Sequence, residues 1–349
     1  MLPWPRGDAP GCPPPAGPPS RQRRREAGAL KRFILDTDTA GDDAFAILLL
    51  ALAADARLEA VTTVAGNLPL ERVTENALYT LQQAGRLEEV PVYAGADRPL
   101  LRPLVTAEAV HGADGMGDSH FPPASGRPQA EHAVDALVRL IHRHAGEIEL
   151  VAIGPLTNIA LACMKAPSIA REVRRLWVMG GCNNALGNVT PAAEYNFYVD
   201  PEAARMVLRA GFPLSLVGWD VCVRYATFQP GVLSEIEAMQ SPLSRFFTAV
   251  NRRALEFSLQ AGYGGSVHPD SLTAAMALNP HIIRRQVRCF VDVECAGELT
   301  RGYSLVDVHG VLDRPPNADV VLEADPDAFR RMMLGLLRSG RAGSEPHAA

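Results

Sequence analysis

The apolar positions of this chain fall into short runs that stop at small or polar residues and are followed by longer segments of helical spacing. Phe33-Ile34-Leu35 ends at Asp36, crosses Thr-Asp-Thr-Ala-Gly, and opens into the apolar segment Ala44 to Ala54. A short apolar run closed by turn residues reads as a buried strand, and the segment behind it as a core-facing helix. The same unit recurs. Leu58 to Ala65 predicts a strand, Glu71 to Gly85 a helix, and Val90 to Tyr93 a strand. Further on come helix Gln129 to Ala145, strand Ile148 to Ala152, strand Arg175 to Met179, a helix opened by Asp200-Pro201-Glu202, and strand Leu214 to Val217. Strands alternating with helices argue for a mostly parallel central sheet with helices on both faces, an α/β domain with a Rossmann-like core. The tail of the pattern differs. After helices at Gly231 to Met239, Pro242 to Leu259 and up to Leu278, the stretch Arg288 to Leu322 alternates as antiparallel strands do, and Pro326 to Leu337 closes as a helix.

The polar residues that interrupt this pattern gather at predicted strand ends. Asp36, Asp38, Asp42 and Asp43 lie within eight positions of one strand-to-helix junction. Each alone has a plain structural reading, as a strand-end acid or a helix cap. Four together exceed what capping needs and repel one another unless a cation or hydrogen-bond donors neutralise them. Oxygen-only ligands suit Ca²⁺ or Mg²⁺ rather than zinc. Asn67 and the turn Ile153 to Asn158 fall at other strand ends, and in parallel sheets the ligand crevice lies at the carboxyl ends. The irregular segment Ala94 to Gly126 contains His111-Gly112, and Cys182 to Asn196 offers Asn183, Asn184, Asn188, Glu194 and Asn196. Amides beside a carboxylate suit sugar hydroxyls, each of which both donates and accepts. Asp270 opens the alanine-rich helix that ends at Leu278, where it could serve simply as a cap.

Composition narrows the partners. The 349 residues are 47% hydrophobic and 21% charged with a net charge of -5, ordinary for a globular protein and no invitation to nucleic acid. The six cysteines form no CxxC pair, which fits a reducing cytoplasm and excludes a disulfide framework or a zinc cluster. No run of about 18 uncharged apolar residues predicts a membrane span. Residues 1–30 are rich in Pro and Arg without the apolar core of a secretory signal, and they read as a disordered tail, as do residues 339–349. Residues 31–338 form the expected domain.

In their order along the chain, the motifs resemble the inosine-uridine preferring nucleoside hydrolases. Asp36-Thr37-Asp38-Thr39-Ala40-Gly41-Asp42-Asp43 is similar to that family's DxDxxxDD signature. The likeness continues through Thr62 to Asn67, His111-Gly112, Gly154 to Ala160, Met179 to Gly181, Gly187-Asn188, Glu194 to Asn196 and Asp200 to Ala204. The resemblance implies a nucleoside hydrolase fold and hydrolysis of the N-glycosidic bond of ribonucleosides, in purine and pyrimidine salvage. It implies one Ca²⁺ held by Asp38, Asp43, the Ile153 carbonyl and Asp270. It implies ribose contacts from Asp42, Asn67, Asn188, Glu194 and Asn196, with Asp38 as general base for the attacking water, and a homodimer or homotetramer. One position departs from the family pattern. Many members carry a His immediately before the late Asp as acid for the leaving base, whereas here that position is Pro269 and the histidine is His268. His111 is then the better candidate for that role. Two rival readings are a haloacid-dehalogenase-like phosphohydrolase, which needs a Lys near its phosphate and finds only Lys165, and a nucleoside-binding protein without turnover.

Overall fold

The computed structural model describes residues 30–339. Most of the two expected tails lies outside these residues, although Ser339 still belongs to the closing helix. The strands are β1 (Lys31–Thr37), β2 (Ala56–Thr63), β3 (Val92–Ala94), β4 (Ile148–Ala152), β5 (Arg175–Met179), β6 (Leu214–Val217), β7 (Thr227–Phe228), β8 (Ser266–Val267), β9 (Ile283–Val293), β10 (Ser304–Asp307) and β11 (Ala318–Ala324). Among the described residues, nine of them form one sheet in the order β10-β9-β11-β6-β5-β4-β1-β2-β3, and β7 pairs with β8 alone. All pairings from β3 across to β11 are parallel, while β9 runs antiparallel to both β11 and β10.

Within this sheet the run β3-β2-β1-β4-β5-β6 is the doubly wound order, in which the chain starts in the middle and builds outward in both directions. The result is the expected α/β domain with a mostly parallel sheet. The alternation of the strands explains why both faces are covered. Phe33, Leu35, Val151, Trp177, Met179 and Val217 point into one apolar cluster, while Ile34, Leu150, Ala152, Leu176, Val178 and Leu216 point into another. The first cluster is closed by helices that include Gly41–Leu52, Leu70–Gln83, Pro269–Leu278 and Pro326–Ser339. The second is closed by Ala133–Arg143, Thr157–Lys165 and Pro201–Arg209.

Several boundaries shift for local reasons. The strand expected at Val90 to Tyr93 is β3 at Val92–Ala94, and the helix expected from Gln129 begins at Ala133, because Gln129 still bonds the edge of the sheet through its N–H to Val92 O (2.8 Å). The segment Pro242 to Leu259 is two helices, Pro242–Val250 and Arg252–Gln260, parted at Asn251. Asn251 sits at φ −93° and ψ 1° and turns its own amide back to Phe247 O (3.0 Å).

Helix Gly41–Leu52 runs from the acidic junction straight through the core, and its Phe45 is fully buried with ring centroids 4.9 Å from Phe247 and 5.8 Å from Phe246. Phe45→Ala is therefore expected to cost about 3–5 kcal/mol in urea denaturation. A loss below about 1 kcal/mol would show that this helix does not anchor the core.

Candidate active site

Strands β1 and β4 lie side by side where the strand order reverses, the place at which loops part and leave a crevice. The acidic junction leaves β1 there, and the Ile153-Gly154 turn leaves β4. Above them lies a cavity of about 360 Å³, within the range of small-ligand sites. Of the candidates named from sequence, Asp42, Asn67, His111, Ile153, Asn188, Glu194, Asn196 and Asp270 line it. Asp38 and Asp43 do not line it. They are buried beneath its floor, each 1% exposed, and are tied to it through Asn67. The Asn67 N–H donates to Asp38 Oδ2 (2.8 Å), and its side-chain amide donates to Asp38 O (3.2 Å) and Asp43 Oδ2 (3.4 Å).

Each acid is gripped by a different local device. Asp43, in the first turn of its helix, accepts from the Ala40 N–H (3.1 Å) and from Thr37 Oγ1 (2.7 Å), so the capping reading holds in part for this residue. Asp42 instead reaches across to the turn that opens helix Pro269–Leu278, accepting from the Asp270 N–H (2.7 Å) and Ser271 Oγ (2.5 Å). Asp270 caps nothing, and its carboxylate lines the cavity. Glu194 accepts from three backbone N–H groups, those of Gly181 (2.8 Å), Asn196 (2.9 Å) and Phe197 (3.2 Å). Asn196 donates to Ile153 O (2.8 Å), and Asn188 accepts from the Tyr195 N–H (2.9 Å). Asp36, one layer deeper, accepts from Thr62 Oγ1 (2.6 Å) and Asn158 Nδ2 (2.8 Å).

Asn183 and Asn184, offered by the same polar stretch, belong elsewhere. Asn183 bonds Asp220 and Val321 O, and Asn184 clasps the outer edge of β10 at Val306. An Asn-rich turn carries no signal of which amides face inward. Sequence reasoning also missed the aromatic walls contributed by Tyr195, Trp219, Phe257 and Tyr263. Trp219 follows Gly218 at the end of β6, so its place at a strand's carboxyl end was the available signal.

The electrostatics are lopsided. Burial pushes Asp36 and Glu194 up to about 7 and Asp43 to about 6. Burial also raises Asp38 and Asp270 well above the ordinary carboxylate range, and the charge of Asp43 adds to both. Among the described residues, no lysine or arginine lines the cavity. Among the described residues, no three His, Cys, Asp or Glu side chains are drawn into a closed metal cluster. The donor set is nonetheless all oxygen, buried and short of positive charge, which fits a hard divalent cation. His111 also lines the cavity, within reach of the charge of Asp42. Burial lowers it to about 4, and its Nδ1 is buried without a partner.

Residues 33–331 match the profile of the family described as inosine-uridine preferring nucleoside hydrolase. The chain belongs to that family. This nucleoside hydrolase is 40% identical over 299 residues to a non-specific ribonucleoside hydrolase of Salmonella paratyphi C, covering 86% of this chain and 95% of that one. It is 39% identical over 307 residues to a Schizosaccharomyces pombe protein, covering 87% and 97%. A solved plant nucleoside hydrolase superposes with a TM-score of 0.83 at 29% identity over 88% of this chain and 99% of that one. The protein is thus an enzyme that hydrolyses the N-glycosidic bond of ribonucleosides, in a family that uses a metal. The phosphohydrolase reading falls with this, and Lys165 pairs with Asp135 away from the cavity.

Two expectations follow for the nucleoside hydrolase. A Cβ on Gly66 would stand 2.1 Å from Asp38 Oδ2, and one on Gly154 would stand 2.8 Å from Asp38 Oδ1. Gly66→Ala should therefore displace that carboxylate and cost about 100-fold in ribose release, the scale of a 1 Å misplacement. Folded Gly66→Ala with full activity would show that Asp38 need not sit where it does. The second concerns pH. Unfolded carboxylates titrate near about 4, while Asp43 and Glu194 titrate at about 6 and about 7 in the folded chain. Between those values the folded state binds more protons, so the metal-free protein should lose stability as pH rises from about 4 to about 7. Melting temperatures of chelator-treated protein at pH 5.5 and pH 8 read this, and a higher value at pH 8 would contradict it.

Proposed function

We propose that this enzyme holds one Ca²⁺ through Asp38, Asp43, Asp270 and the Ile153 carbonyl, and grips ribose through Asp42, Asn67, Asn188, Glu194 and Asn196. The observation that carries this reading is the convergence of acids distant in sequence at one cavity that, among the described residues, no lysine or arginine lines. Calcium fits better than magnesium because carboxylates and a carbonyl from three separate segments would suit its flexible, oxygen-only coordination, whereas Mg²⁺ demands a near-ideal octahedron. When bound, such an ion neutralises the acids and lowers the pKa of water at the site.

The chain's own groups account for the rest. Asp38, its Oδ2 fixed by the Asn67 N–H and confined by Gly66 and Gly154, takes the proton of the attacking water. The carboxylates around the sugar stabilise the positive charge that develops as the bond to the base breaks, as in glycoside hydrolysis generally. The asparagines hold the hydroxyls and so fix the ring. The base departs toward the apolar and aromatic wall. His111, held neutral at pH 7, hydrogen-bonds the leaving base rather than delivering a full proton.

Base selection is broad in this proposal, taking in purine and pyrimidine ribonucleosides. The Salmonella relative is non-specific, and the wall offers stacking surfaces more than polar edges. The dimer or tetramer and the cytoplasmic setting belong to the same proposal. Five free cysteines among the described residues fit a reducing compartment.

Ribose release from uridine, cytidine, inosine and adenosine tests the whole reading. Chelation should abolish turnover and Ca²⁺ should restore it, and Asp38→Asn should lower kcat by about 10²- to 10⁴-fold. Undiminished turnover of Asp38→Asn would remove the assigned base, and a preference above about 100-fold for one base class would remove the broad selection.

A further inference from the structure

The carboxylate of Asp42 is held from behind by a single turn of chain. Oδ1 meets Ser271 Oγ at 2.5 Å and His268 Nδ1 at 3.0 Å, and Oδ2 accepts from the N–H groups of Asp270 (2.7 Å) and Ser271 (3.2 Å). His268 is fully buried and does not line the cavity. Its ring lies against Phe228 and Phe247, with centroids at 4.8 Å and 5.0 Å, and its Nε2 is buried with no hydrogen-bond partner. The backbone enforces this direction. The His268 N–H is bonded to Ala226 O (3.0 Å), and Pro269 behind it keeps the residue out of the helical region, at φ −124° and ψ 72°. Pro269, not an ionisable side chain, then faces the cavity.

An apolar side chain would fill this aromatic cage without leaving a nitrogen unpaired. What a histidine adds there is one N–H aimed at Asp42. We infer that His268 is a positioning residue for the hydrolysis: its Nδ1–H fixes the orientation of the Asp42 carboxylate, and it gives no proton to the leaving base. A carboxylate only accepts, so Nδ1 carries the hydrogen. The inference rests on the reading that Asp42 contacts ribose.

Three variants and two substrates decide the matter, with Ca²⁺ at saturation. H268F keeps a ring in the cage and drops the donor. H268N places an amide N–H near the position of Nδ1. D42A removes the group being positioned. H268F should lose about 10- to 100-fold in kcat/KM, the scale of a hydrogen bond to a charged group, without a lower melting temperature, and H268N should recover most of it. The loss should be equal on uridine and on p-nitrophenyl riboside, whose nitrophenolate leaves without a proton. A loss on uridine that spares the nitrophenyl riboside would make His268 an acid and overturn the inference. Wild-type kcat/KM for H268F, or H268N as impaired as H268F, would overturn it too. If H268F does not fold, H268Q takes its place, since its amide reaches the Nε2 side of the cage and not Asp42. Full activity of D42A would instead refute the ribose role of Asp42, a failure separate from that of His268.

Discussion

Carboxylates buried, among the described residues, with no lysine or arginine beside them are the constraint on which this site depends. Two like charges about 4 Å apart at an effective dielectric near 20 repel by about 4 kcal/mol, and here the charge of Asp43 adds to burial in raising both Asp38 and Asp270 in a region nearly closed to water. The fold answers with backbone dipoles. Glu194 has three N–H donors, Asp42 has two, and Asp38 and Asp43 have one each, from Asn67 and Ala40. These orient the carboxylates, yet burial still dominates and holds Asp43 and Glu194 well above the ordinary carboxylate range. In the proposed reading a divalent cation would supply the charge that peptide dipoles leave unmet.

The doubly wound order makes such a concentration possible. Between β1 and β4 the connections depart in opposite directions, so two loops can face each other without a crossing strand above them. The loop after β1 brings the first acids and the loop after β4 brings a carbonyl. The later turns bring Glu194 at the start of helix Tyr195–Val199 and Asp270 at the start of helix Pro269–Leu278. Helix starts carry free N–H groups, which is why acids settle there so readily.

The cavity above is divided as a nucleoside is divided. Its floor is polar and dense with acceptors and amides. Its wall is made largely of Val110, Trp219, Phe257 and Tyr263, with Trp219 and Tyr263 meeting edge to face at a centroid distance of 5.6 Å. In the proposed reading, a sugar held by the polar groups would place its anomeric carbon between the carboxylates and the apolar side, where a departing base would find stacking surface.

The sequence by itself determined the alternation of strands and helices, the parallel core and the identity of nearly every polar group at the site. Strands at Ile148–Ala152, Arg175–Met179 and Leu214–Val217 follow from local apolar runs, and the first acids stand out because four of them crowd the one junction between β1 and helix Gly41–Leu52. Tertiary structure alone decided direction. Asn183, Asn184 and Asn188 are alike in a linear string, yet one bonds Asp220, one closes the edge of β10 and one faces the cavity. The break of the long helix at Asn251, the descent of Asp38 and Asp43 beneath the floor and the inward turn of His268 are of the same kind. Local propensity fixes what a segment forms, but which way a side chain points depends on neighbours tens or hundreds of residues away, and those meet only once the sheet has assembled.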